Sequence, residues 1–316
     1  MGSLMKTVLV AIGGNALFDV KNGNNIDPSK IGAVCQEIVE AVLLGYQPVI
    51  TFGNGPQVGN LLEMAEKYTL PPKYPISLDT CVAWTQAEIG YFLAKEVYNQ
   101  LYEKGHVLNI MAVNTTVVVD SQDPAFLDAT KPVGNFYNKE DARTLSETYG
   151  WQMKADSNRG YRRVVPSPAP IRIVEEEAIK ALVKGECLLF CGGGGGIPVI
   201  EEDGLLRGVE AVIDKDRTAC LLAEQLKIQE LVICTAVDHV CLHFGTPEEM
   251  ALSKVTTKEA RRYLEEGQFP PGSMGPKVES MVRFVEQGGE RAIITRLESL
   301  GKALRGESGT QFVKES

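Results

Sequence analysis

Apolar runs of strand length alternate with stretches of helical period along most of this chain. The strand candidates are "TVLVAI" (7–12), "QPVITF" (47–52), 107–112, 187–191, "ELVICTAV" (230–237) and 290–295. Strand and helix in alternation predict βαβ units and a mostly parallel sheet covered on both faces. One helix carries clear end signals. In "DPSKIGAVCQEIVEAVLLG", Asp27 is the N-cap, Pro28 the first helical residue and Gly45 the stop. A second, over 79–105, is long, aromatic-rich and apolar on more of its surface than one packing face explains. That excess predicts a subunit interface.

The rhythm breaks between 114 and 170. This segment holds five prolines (124, 132, 166, 168, 170), loop-like "SQDPAFLDATKPVGNFYNKED" and the basic "NRGYRRVVP". So long an insertion is uncommon without a function, and it predicts a lid or protruding subdomain over a site. The whole then reads as a single domain over 5–314 carrying that inserted subdomain, with residues 1–4 a leftover ahead of a start at Met5.

Composition narrows the partners. A net charge of -9 over 316 residues argues against nucleic acid and acidic membranes, which need a basic face. No apolar run is long enough to span a bilayer, and the first residues lack the pattern of a secretory signal. Seven cysteines at scattered spacings sit among Val, Leu and Ile. They read as reduced, mostly buried thiols of a cytosolic protein.

Three glycine-rich turns follow strands: Gly13-Gly14-Asn15, "GNGPQVG" (53–59) and "CGGGGGIPV" (191–199). Loops at the carboxyl ends of parallel strands converge on a ligand crevice, and three of this kind favour a phosphate-rich ligand. The sequence has no G-x-x-x-x-G-K-[ST], so it is not a P-loop protein. Gly53, Gly55 and Gly59 fit only a loose dinucleotide pattern without the acidic residue that should follow, which leaves a nicotinamide-dependent oxidoreductase as a minor alternative. The first turn poses a problem, because no Lys or Arg lies between Thr7 and Val20 to meet an anion.

Two lysines sit where helices prefer acids. Lys215 stands between Asp214 and Asp216, either of which can cap the following helix, and Lys277 follows Pro276 at a predicted helix start. A cation there opposes the helix dipole at a cost of about 0.3–1 kcal/mol. A bound anion resolves the conflict by collecting both the ammonium and the free amides. By contrast, His239, Cys241 and His243 in "DHVCLHF" would splay apart as metal ligands on one strand, so no metal site is expected. Their place after a strand suggests a wall for a nucleotide base. There is no nucleophile elbow to support hydrolase chemistry.

"VAIGGNALF", "TFGNGPQVGN", "DPAFLDATKPVGNFY", "YRRVVPSPAPIRIVE", "GGGGGIPVI", "GVEAVIDKDRTA" and "GQFPPGSMGPKVE" closely resemble carbamate kinases of the amino-acid kinase superfamily, in the expected order. The resemblance implies an α/β fold, a three-layer α/β/α sandwich around an open, mainly parallel sheet of about eight strands. It further implies a cytosolic homodimer and reversible phosphoryl transfer between carbamoyl phosphate and ADP, giving ATP and carbamate. The usual setting is ATP-generating arginine catabolism. An alternative within the superfamily is a kinase acting on an amino-acid carboxylate. Such enzymes usually place a lysine in the first strand, where this chain has Ala11. Phe52 stands where relatives often carry His.

In carbamate kinases the missing charge comes from the protruding subdomain, at the position of Lys131. The expected catalytic set is therefore Lys131, closing over the transferring phosphoryl, and Lys215 and Lys277 on the nucleotide side, with Asp216, and more weakly Asp214, fixing those last two. Gly13, Gly14, Asn15, Gly53, Asn54 and Gly55 are expected to hold the carbamoyl side through backbone N–H groups and the two Asn amides. The base and ribose are expected against Thr235, Val237, Asp238 and Val240, and against Met274 and Gly275. Mg²⁺ is expected to be bound mainly through nucleotide phosphates.

Overall fold

Strand β1 (Lys6–Ile12) is buried from Val8 onward, and its side chains divide between two cores. Leu9 and Ala11 face one, while Val8, Val10 and Ile12 face the other. This is the period-two alternation of a strand covered on both sides. In the computed structural model, which describes residues 5–19, 25–68, 76–156, 160–270 and 273–315, β1 lies inside an eight-stranded sheet. The other strands are β2 (Tyr46–Phe52), β3 (Ile110–Ala112), β4 (Leu188–Phe190), β5 (Glu230–Thr235), β6 (Lys254–Thr256), β7 (Arg291–Arg296) and β8 (Thr310–Val313). Their order is β6-β8-β7-β5-β1-β2-β4-β3, and every pairing is parallel except β7 with β8.

Helices α1 (Pro28–Leu43) and α3 (Leu78–Glu103) cover one face, and α2 (Gly55–Tyr68) leads out of β2. The Asp27 side chain caps α1 by accepting from the Ser29 N–H, and Gly45 leaves the helix at φ 88°. Beyond them lie α4 (Lys139–Tyr149), α5 (Glu176–Lys184), α6 (Lys215–Gln225), α7 (Thr257–Glu265), α8 (Met274–Glu286) and the short α9 (Leu300–Leu304). The α5, α6, α7 and α8 helices pack on the opposite face, and α9 joins α1 and α3. The result is a three-layer α/β/α sandwich. Along α3, Trp84, Tyr91, Tyr98 and Tyr102 remain exposed beside the sheet-edge strand β3.

Six of the eight strands coincide with apolar runs. β6 and β8 do not, because "KVT" and "TQFV" are short and mixed in polarity. The segment from 114 to 170 is built in two parts. Its ends, 116–119 and 170–173, pair antiparallel in a four-stranded sheet with 197–202 and 205–208. Between them, 131–137, 153–155 and 161–165 form a separate three-stranded sheet with α4.

Candidate active site

The C-terminal ends of β5, β1 and β2, three adjacent strands, carry the turns that face a common crevice. Gly13 leads β1 into a 3₁₀ turn over Gly14–Ala16, and Gly53 and Asn54 lead β2 into α2. The two turns touch backbone to backbone. Gly53 N donates to Ile12 O at 3.0 Å, and a Cβ on Gly53 would fall 2.7 Å from Gly14 N. A Cβ on Gly55 would meet nothing within 4 Å, and one on Gly13 only Cys234 O at 3.7 Å. Glycine at those two positions answers no packing demand among the described residues, and it leaves the backbone bare at a helix N-terminus suited to an anion. Asn15 supplies backbone to the first turn; its side chain lies outside the described residues.

Asn54 departs from expectation. It is 1% exposed, and its amide nitrogen donates to Thr85 Oγ1 at 2.8 Å. Its side chain is also packed against Gly194, where a Cβ would fall 2.2 Å from the Asn54 amide. The expected contact between this amide and substrate is therefore not made available; Asn54 instead ties the turn to α3. The five-glycine run is likewise structural. Gly192 to Gly196 are buried, four of them have positive φ, and a Cβ on Gly195 would meet Ile213 O at 2.2 Å. Only glycine allows both that backbone and that approach.

The lysines converge on two carboxylates. Asp214 is the N-cap of α6 and accepts from the Asp216 and Arg217 N–H groups. Its second oxygen, Oδ2, accepts from Lys131 Nζ at 2.6 Å. Asp216 is nearly buried, and its two oxygens take one lysine each: Oδ1 takes Lys215, and Oδ2 takes Lys277 at 2.7 Å. Three ammonium groups against two carboxylates leave one surplus positive charge in this cluster of a strongly acidic protein. Burial pushes the Asp214 carboxyl up, but the Lys131 charge and hydrogen bond outweigh it and hold the group well below the usual range. Asp216 is also lowered, since Lys215 and Lys277 overcome its desolvation. Burial, with repulsion from Lys277, lowers Lys215 despite its carboxylate partner.

Lys215 is the first residue of α6, as the sequence reading expects. Lys277 is the fourth of α8, not the second, because that helix begins at Met274. The bond from Gly275 N to Pro270 O closes the preceding turn early. Pro276 is tolerated in the first turn because its missing N–H would find no helical partner there. Asp216 offsets both helix-end cations, so part of the conflict is resolved inside the protein rather than by a ligand.

On the other side of the crevice, Thr235 ends β5, and Val240 N donates to Thr310 Oγ1 at 2.8 Å. Asp238 accepts from Ser299 Oγ at 2.8 Å and pairs with Arg296 at 3.4 Å, which fixes the loop through Val237. Met274 and Gly275 open α8, the helix that carries Lys277. His239, Cys241 and His243 do not gather. His243 leaves the strand Val240–Leu242 at φ 53°, and no group of three metal-ligating residues occurs among the described residues. No cysteine is disulfide-bonded among the described residues, and all but the half-buried Cys241 are buried.

Sequence reasoning missed Thr85, which anchors Asn54, and it missed the role of Gly59. A Cβ on Gly59 would fall 1.9 Å from Gly134 Cα, in the strand that Lys131 begins. The sequence showed Gly59 only as part of a loose dinucleotide pattern, and a partner 75 residues away was not legible in it.

Residues 6–296 match the Amino acid kinase family. The chain is 44% identical over 314 residues to a carbamate kinase of Pyrococcus furiosus, covering 98% of this chain and 99% of that one. It is 44% identical to a carbamate kinase of Clostridium perfringens, over 98% of this chain and all of that one. Among solved structures, carbamate kinase from Giardia lamblia bound to citric acid superposes with a TM-score of 0.92, at 36% identity, over 98% of this chain and 99% of that one. The same Giardia enzyme bound to AMP-PNP gives a TM-score of 0.89, again at 36% identity over 98% and 99%.

Proposed function

The chain belongs to the amino acid kinase family and, within it, to the carbamate kinases, and from that premise we propose how its residues carry the reaction. The alternatives of a carboxylate kinase or a nicotinamide-dependent oxidoreductase have no support beside full-length relatives that are carbamate kinases. The observation that carries the residue assignment is the gathering of Lys131, Lys215 and Lys277 on Asp214 and Asp216 from three distant segments.

An oxygen of the ADP β-phosphate attacks the phosphorus of carbamoyl phosphate in line. The bond from phosphorus to the carbamoyl oxygen breaks, and carbamate leaves with the electron pair. Little covalent chemistry is asked of the protein beyond placement and charge cancellation. The backbone at Gly13–Gly14 and Gly53–Gly55 receives carbamoyl phosphate. Lys131 meets the transferring phosphoryl from the inserted subdomain, which acts as the lid. Lys215 and Lys277 meet the nucleotide side, with Asp216 holding both. The base and ribose lie against Thr235–Val240 and Met274–Gly275.

Mg²⁺ fits this donor set as an ion brought in on phosphate oxygens, because Asp214 and Asp216 each already accept ammonium groups. When bound it neutralises phosphate charge. The partner proposed for α3 and the β3 edge is a second copy of this chain, which would cover Trp84, Tyr91, Tyr98 and Tyr102. The setting that follows from this reading is ATP-generating arginine catabolism in the cytosol; no described helix is long and apolar enough to cross a membrane.

The test is ATP formation from ADP and carbamoyl phosphate, followed through a coupled hexokinase assay. ATP should appear one for one with carbamoyl phosphate consumed. Nucleotide binding without turnover would overturn the assignment.

A further inference from the structure

The strand 131–137 does not hang free over the crevice; it is seated on α2. The seat has three parts on one helix face, at Gly59, Leu62 and Glu63. Gly59 meets Gly134 with no side chain between them, and Gly134 has φ 73° at an irregularity in the pairing of its strand with 161–165. Leu62 and Val58 share an apolar cluster with Val133 and Val165. One turn beyond Gly59, Glu63 accepts from Asn135 Nδ2 at 2.9 Å and from Tyr137 Oη at 3.0 Å. The same helix begins at Gly55, in the turn assigned to carbamoyl phosphate.

We propose that Gly59 is a positioning residue for Lys131. By letting the strand lie directly on α2, it fixes the lysine relative to the anion site at that helix's N-terminus. Substrate amides and Lys131 are then placed relative to one another by a single helix. The inference rests on the role assigned above to Lys131, and it adds the element that sets where that lysine stands.

The geometry gives a magnitude. A Cβ on Gly59 would lie 1.9 Å from Gly134 Cα and 2.2 Å from Gly134 N, both backbone atoms that cannot rotate aside. Carbon–carbon contact requires about 3.5–4.0 Å, so the strand must withdraw by roughly 1.5–2 Å. Lys131 is three residues from Gly134, about 10 Å along an extended strand, and the shift reaches it. Misplacing a reacting or stabilising group by about 1 Å costs on the order of 100-fold in rate.

The experiment is a cycle of Gly59→Ala, Lys131→Ala and the double variant, assayed for ATP formation at saturating carbamoyl phosphate. Gly59→Ala should lower kcat by roughly 10- to 100-fold while the KM for ADP stays within about twofold of wild type. In the Lys131→Ala background the same change should cost little further, because the group it misplaces is gone. A merely structural glycine would instead add its full penalty to either background. Near-wild-type kcat in Gly59→Ala, or losses that multiply in the double variant, overturns the proposal. Normal turnover in Lys131→Ala alone overturns the lysine's role and this proposal with it. Lost turnover in Lys131→Ala beside normal turnover in Gly59→Ala overturns only the coupling. If Gly59→Ala does not fold, Glu63→Ala loosens the seat without adding volume. It should lower kcat several-fold at unchanged KM for ADP and lose that effect without Lys131; wild-type kcat would refute the idea.

Discussion

Lys131 Nζ stands 2.6 Å from Asp214 Oδ2, across 83 residues of sequence, and links the inserted subdomain to the N-cap of α6. The lysine is about one-third exposed, so it is held at the crevice without being sealed from it. An ammonium parked on a carboxylate beside the site can transfer to an arriving phosphoryl group with little rearrangement.

Lys131→Ala should therefore lower kcat by roughly 10²–10³-fold, the scale for removing one donor to developing charge. ADP affinity should change far less, since the nucleotide side is assigned to Lys215 and Lys277. Steady-state kinetics with ADP titrated at saturating carbamoyl phosphate separates the two effects.

Asp216 and its two lysines should respond asymmetrically to substitution. Lys215→Ala or Lys277→Ala leaves the carboxylate with its other partner, so activity should vanish while the urea midpoint stays near native. Asp216→Ala leaves two ammonium groups facing each other in a buried place and should destabilise by about 3–5 kcal/mol. Equilibrium unfolding of the three variants checks the ordering.

The depressed Asp214 and Asp216 carboxyls predict acid sensitivity of a definite sign. In the unfolded chain each titrates near the ordinary value of about 3.9. Above that value both states are ionised, and the stability from the lysine contacts is fully present. As pH falls below it, the unfolded state binds protons first, so this stability is lost progressively on the way down to the folded values. Asp214→Asn keeps the side-chain oxygen that caps α6 but loses the ion pair. Its melting temperature should fall less steeply than wild type between about pH 4 and pH 2.5.

The exposed aromatics of α3 predict self-association. Tyr91→Glu, which places a charge among Tyr98, Trp84 and the β3 edge, should shift the protein from dimer to monomer in sedimentation velocity. A wild-type monomer at micromolar concentration would remove that surface from the argument.

Much of the fold was legible because its signals are local. The alternation in "TVLVAI" follows from a strand buried on both faces, and Asp27, Pro28 and Gly45 mark α1 through backbone chemistry confined to a few residues. The misplaced start of α8 and the missed β6 and β8 have the opposite cause. Each depends on a partner far away in sequence or on a turn whose closing bond no residue type announces.

The site divides in the same way. Lysines at two helix starts and bare glycines after strands announce an anion in the sequence itself, since each contradicts the preference of its own local structure. Residue types and local spacing by themselves thus determined the covered parallel sheet and the ends of α1, and pointed to a phosphate-rich ligand. Tertiary structure alone decided that Asp214 takes Lys131 while Asp216 takes both other lysines, that the Asn54 amide turns to Thr85, and that Gly59 seats the strand of Lys131. Apart from the neighbouring Lys215 and Asp216, those are contacts between segments about 30 to 80 residues apart. Their geometry is set by how strands order in the sheet and how closely backbones can approach, which no single stretch of the chain encodes.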